Sequence, residues 1–275
     1  MAKSNTQIAK QDTTDLTALI GGEVSLDTRP DFIPEGDKTG TEGITQEDIR
    51  LPRLSIAQGL SSQMIPGDST HIPGLQLFQM FNDATKQIYG NGPIYFIPVK
   101  RDKRCIEFKP RADGGGIVDM SVPWNDKRAT EWRKIDGKDM APAATRFTEY
   151  VILILGADGE TEPVVLSIKH TNKFNRRTAE EMNRLVLMYA SQGAKSVPLY
   201  GVIYEVTSRS EKNDNGTFGV PVIKAAGFVP NNVMGQMLFE RASQYHESLK
   251  DKNIDIERTA DDDVVQGEVV DRPTM

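Results

Sequence analysis

The sequence predicts a mainly β protein of the α+β class, flanked by two acidic arms. Three observations carry this. Six segments set β-branched and aromatic residues between turn signals, and two segments show helical spacing between caps. The charge also runs acidic, basic, acidic along the chain.

The elements follow in order. Residues 1–48 are rich in Thr, Asp, Gly and Glu without periodicity. Ten acids against three bases between Gln11 and Arg50 mark them as a disordered acidic arm. "TQEDIRLPRLSI" (Thr45–Ile56) reads as a short capped turn into the domain, with Thr45 and Asp48 at capping-box spacing. Strands are expected at Ile94–Val99, Arg104–Lys109, Phe147–Leu155, Pro163–Lys169, Leu199–Val206 and Gly219–Phe228. "GADGE" (Gly156–Glu160) joins two of them, because Asp-Gly supplies the positive φ of a hairpin turn. "SRSEKNDNG" (Ser208–Gly216) reads as a longer polar hairpin tip.

One helix is expected from an N-cap at Thr178, with Glu181 three residues on and Gly193 as its stop. Its apolar stripe is Met182, Leu185, Val186 and Tyr189. A second starts at the Asn231–Asn232 caps and sets Val233, Met237, Leu238 and Tyr245 at roughly helical spacing. Beyond it the core-forming residues run out, and nine acids against four bases from Glu247 onward predict a disordered acidic tail over 251–275. The domain between the arms spans 49–250. Taking the first two strands as one long bent strand gives strand, strand, strand, helix, strand, strand. That is the order of an OB-fold, so the expected architecture is an OB-like barrel of five to six strands with one intervening and one C-terminal helix.

Composition narrows the function classes. Cys105 is the lone cysteine, which excludes an internal disulfide and a Cys-based zinc site. The N-terminus has no apolar signal core and no stretch approaches 18 apolar residues, so a cytoplasmic protein without membrane contact is expected. His71, His170 and His246 are too scattered for a zinc-hydrolase motif, and no Gly-x-Ser-x-Gly elbow occurs. "DGGGIVD" (Asp113–Asp119) lacks the Gly-Lys-Ser/Thr of a phosphate loop. Neither an enzyme nor a cofactor is expected.

Nucleic acid fits the basic centre better. Single-strand binders need cations along a groove and aromatic faces on which any base can stack. "VKRDKRCIEFKPRADGGG" (Val99–Gly116) offers Lys100, Arg101, Lys103, Arg104, Lys109 and Arg111 around a presumed strand-to-strand tip. "PWNDKRATEWRK" interleaves Trp124 and Trp132 with Lys127, Arg128 and Arg133 in what reads as an exposed loop. "IKHTNKFNRRT" sets Lys169, Lys173, Arg176 and Arg177 around Phe174. No recognition helix dense in Arg and Asn appears, which favours single-stranded over duplex DNA. In the tail, Asp261, Asp262, Asp263 and Glu268 are candidate partner-binding residues.

The arrangement "LPRLSIAQG…PGD…YGNGPIYFIPVKRDKRCIEFKPRADGGG" resembles the N-terminal half of a group of bacteriophage-encoded single-stranded DNA-binding proteins, over roughly residues 50–117. The acidic end resembles the tails of phage and bacterial proteins of that kind. Its "VVQGEV" (Val264–Val269) is similar to the endings of some phage strand-annealing recombinases. The resemblance implies a protein that coats single strands during phage replication or recombination, with a tail that recruits replication or recombination proteins. Two alternatives stand beside it: a strand-annealing recombinase, and a structural or regulatory phage protein that binds host RNA polymerase. A homo-oligomer is compatible with each.

Overall fold

A computed structural model describes residues 51–109, 116–135, 138–191, 193, 196–213 and 216–250. Both acidic arms therefore lie outside the described residues. The chain enters through β1 (Arg53–Ile56), followed by the short strands β2 (Met80–Asn82) and β3 (Ile88–Gly90). Strand β4 (Ile94–Phe108) is long, β5 (Ile117–Asp119) folds back on it, and a one-turn helix α1 (Lys127–Thr130) comes next. A small hairpin, β6 (Arg133–Ile135) and β7 (Lys138–Met140), leads to β8 (Ala144–Leu155) and β9 (Thr161–Lys169). Helix α2 (Lys173–Ala190) precedes β10 (Val202–Asn213) and β11 (Gly216–Phe228), and α3 (Val233–Leu249) ends the described part.

Nine strands form one curled sheet in the order β11-β10-β4-β8-β9-β1-β2-β3, with β5 paired to β4. The fold is thus mostly β with three helices among the described residues. The expected five to six strands become nine because β1, β2, β3 and β5 are three or four residues long and too brief to show alternation. Arg104–Lys109 is no separate strand: it continues Ile94–Val99 within β4, as the long bent strand requires. Leu199–Gly201 is a 3₁₀ turn, and most of the expected polar tip is strand, with Ser208–Asn213 paired to Gly216–Pro221. The Gly156–Glu160 turn forms as expected, with Gly159 at φ 78°.

Strand alternation assigns each side chain to one of two layers. Phe96, Tyr150, Ile152, Leu166, Ile168, Tyr204 and Ile223 pack on one face against Ala179, Met182 and Leu185 of α2. Ile97, Val99, Val151, Leu153 and Val165 pack on the other against Leu238, Ala242 and Leu249 of α3. Helix α2 starts earlier than expected. Asn172 is its N-cap and accepts a bond from the Asn175 N–H, while the Thr178 hydroxyl donates 2.7 Å across to the Pro221 carbonyl. The Asn232 cap of α3 is as expected, and so is half of the stripe: Leu238 and Tyr245 pack on the sheet together with Ala242, whereas Val233 and Met237 are 78% and 49% exposed.

The curl has an unusual seam. Strand β1 runs parallel to β9, pairing Arg53 with Val165 and Leu54 with Leu166. Its other edge pairs with β2, and just past its end the Gln58 side chain meets the β11 backbone: the amide donates to the Gly219 carbonyl at 3.0 Å, and Oε1 accepts from the Gly219 N–H at 2.9 Å. Only glycine allows this approach, since a Cβ at 219 would lie 2.6 Å from the Ile56 methyl.

Candidate nucleic-acid interface

The basic run Lys100–Arg104 is not a tip between strands. It lies in the middle of β4, paired to Val151–Phe147 of β8. A bulge between Pro98 and Lys100 decides where its cations point. Pro98 sits opposite Ile152, but Lys100 sits opposite Val151, one residue earlier than regular pairing would give. Lys100 and Arg104 therefore fall on the α3 face, and Arg101 and Lys103 on the α2 face.

The α3-face cations serve the fold. Lys100 is buried, and its ammonium donates to the carbonyl of Leu249, the last residue of α3, at 2.6 Å with Asp102 3.9 Å away. Arg104 Nε lies 3.2 Å from the carboxylate of Glu149, which is fully buried. Arg128, also expected to meet phosphates, ties three carboxylates: Glu107 at 2.9 Å, Asp119 at 3.0 Å and Asp126 at 3.3 Å. The bond to Asp126, then those to Glu107 and Asp119, raise its pKa further. Asp126 and Asp119 are held below the usual carboxylate range, first by the backbone N–H of Arg128 and of Ser121 respectively. All three cations are thus engaged by groups of the protein itself.

The α2-face cations are held by neutral groups. Arg101 Nε donates to Asn183 Oδ1 at 2.7 Å, and the Tyr150 hydroxyl donates to that same oxygen at 2.7 Å. Arg146 on β8 donates from Nε and Nη2 to the backbone carbonyl of Trp124, at 3.0 and 2.6 Å. Lys103 Nζ and Arg146 Cζ each lie 5.1 Å from the centre of the Trp124 ring. His170 meets that ring edge-on at 5.5 Å, with Nε2 2.9 Å from the Thr148 hydroxyl. Among the described residues, Arg101, Lys103 and Arg146 form no ion pair. Burial, followed by the charges of Arg146, Arg176, Lys103 and Arg101, pushes the His170 pKa down to about 4. The ring is therefore neutral at pH 7, inside a concentration of positive charge. Each guanidinium directs one edge to a fixed neutral acceptor.

The other expected residues divide. Trp124 and Trp132 are half-buried in the irregular chain on either side of α1, among exposed neighbours, and Trp124 has two cations close to its ring. Phe174 is half-buried in the first turn of α2, tilted against Phe218 at 5.9 Å with Lys173 Nζ 5.1 Å from its ring. Arg177 is exposed on the same turn, and Arg176 is half-buried beside His170. Lys169 ends β9 opposite Phe147. Lys109 is exposed at the end of β4, and Lys127 pairs on the surface with Glu131 at 3.7 Å. Arg111, Asp261, Asp262, Asp263 and Glu268 lie outside the described residues, as does the Arg133 side chain. Sequence reasoning missed Arg146, Thr148, Tyr150 and Asn183. The signal was there for the first three: a polar parity inside β8, at every second residue leading into an apolar run.

Among the described residues no group of three or more His, Cys, Asp or Glu is placed to hold a metal, and no helix is long and apolar enough to cross a membrane. A family model described as Pam3 phage gp34-like protein matches residues 21–255. No curated protein and no solved structure matches the chain.

Proposed function

The chain belongs to the Pam3 phage gp34-like protein family, and we propose that it is a single-stranded DNA-binding protein of phage replication or recombination. The carrying observation is the α2-face cluster of Lys103 and Arg146 on the Trp124 ring with Arg101 on the same face, cations that among the described residues form no ion pair. Cations beside an aromatic ring suit a ligand that alternates phosphates with flat bases, without regard to base identity.

Topology supports the same reading. In OB-like terms, β4, β8 and β9 are the first three barrel strands, α2 is the intervening helix, and β10 and β11 are the last two. Their order in the sheet, β11-β10-β4-β8-β9, agrees with this, with β1 filling the seam. OB-folds bind oligonucleotides on the second and third strands and on the loop between the first two. Here those parts carry Arg146, Thr148, His170 and Trp124. The acidic residues Asp261, Asp262, Asp263 and Glu268 would recruit partner proteins, and no catalytic step is assigned to the chain.

Tryptophan fluorescence titrated with oligothymidine at two salt concentrations tests the proposal. Quenching is expected at low salt, with log affinity falling by about 0.7 per log salt for each phosphate contacted. No quenching and no gel shift at low salt would overturn it. Pairing of complementary strands in an annealing assay would move the protein to the recombinase class.

A further inference from the structure

We infer that His170 is a further binding residue of this face, taking up a proton as an anionic strand arrives and then donating to its phosphate. The inference rests on the α2 face being the strand-binding surface.

The charged groups bearing on the ring come from three elements: Arg101 and Lys103 on β4, Arg146 on β8, and Arg176 on α2. All are cations. The nearby carboxylates of β4 and β8, Asp102 and Glu149, belong to the opposite face by strand parity. Without a ligand, burial and these cations both oppose a charge on the imidazole. A phosphodiester brought among the same cations supplies a permanent negative charge and reverses that balance. The imidazolium has two donors. Nε2 faces the Thr148 hydroxyl, and Nδ1 is bonded by no described residue, so it is the donor left for an incoming oxygen. Because the complex then binds a proton more tightly than the free protein does, affinity rises as pH falls through the interval between the two ring pKa values.

Oligothymidine is the suitable ligand, since thymine does not titrate between pH 5 and 7. Wild type should bind it roughly two- to ninefold more tightly at pH 5 than at pH 7, the linkage for a pKa raised by one to two units. His170→Gln should lose most of that gain between pH 7 and pH 5. NMR titration of the imidazole in wild type gives a second readout that needs no variant, with and without oligothymidine or sulfate. A ring pKa raised by about a unit when either anion is present supports the inference. An unchanged pKa with oligothymidine bound, or equal pH dependence in wild type and variant, overturns it. A rise with sulfate alongside no binding of oligothymidine retains the anion-linked proton and rejects the single-strand reading.

Discussion

The two faces of β4 carry the same residue types to opposite ends. On the α3 face, Lys100 and Arg104 are taken up by a helix terminus and a buried carboxylate. On the α2 face, Arg101 and Lys103, one residue away from each, meet an amide oxygen and an indole ring. Charge density along the chain is equal for both pairs; the difference lies in what neutralises them. A cation whose counter-ion is part of the protein contributes to stability, whereas one held by a dipole or a π face keeps its field for something outside.

That contrast has measurable limits. The largest effect on binding is expected for Arg101→Ala with Arg146→Ala. Losing two charge-assisted contacts should weaken oligothymidine binding by about a hundredfold or more, with little change in unfolding free energy. Equal loss of stability and affinity would erase the distinction between the faces. Next comes Arg104→Ala, which strands the Glu149 carboxylate in the core. Urea unfolding should show a loss of about 3–5 kcal/mol, largely recovered by adding Glu149→Gln, with affinity of the folded protein unchanged. Trp124→Phe should cost about 0.5–2 kcal/mol of binding through a weaker cation–π partner, and should remove the quenching signal that Trp132→Phe retains. The smallest effect belongs to Glu181 and Arg184, an exposed pair on α2 at 2.5 Å. Replacing both with alanine should leave Tm and affinity where they are.

Much of the architecture was legible because long strands and capped helices announce themselves. Asn232, the Gly156–Glu160 turn and the buried stripe of Met182 and Leu185 follow from local chemistry alone. The site was less legible, for a geometric reason. Whether Arg101 or Lys100 lies on the α2 face depends on a one-residue bulge at Val99, and nothing in "IPVKRDKR" marks where an extra residue enters the ladder. Arg128 misled in the other direction: its three carboxylates come from β4, β5 and the α1 cap, separated in sequence by up to 21 residues. Arg146 acquires meaning only when β8 meets the Trp124 turn, and Asn183 only when α2 packs on β4 and β8.

The Gln58 bridge gives the sheet one line along which it opens at low cost. Residues 161 positions apart are joined there by a rotatable amide, with Ser208 of β10 bonded to the Asn91 and Phe78 carbonyls, where elsewhere the sheet relies on continuous backbone ladders. A ladder yields only when strands separate; a side chain yields by turning about its own bonds. The Gly219 amide hydrogen should therefore exchange with solvent far sooner than that of Tyr150, whose strand is paired on both sides. The curl can breathe at its seam while both packed layers stay closed.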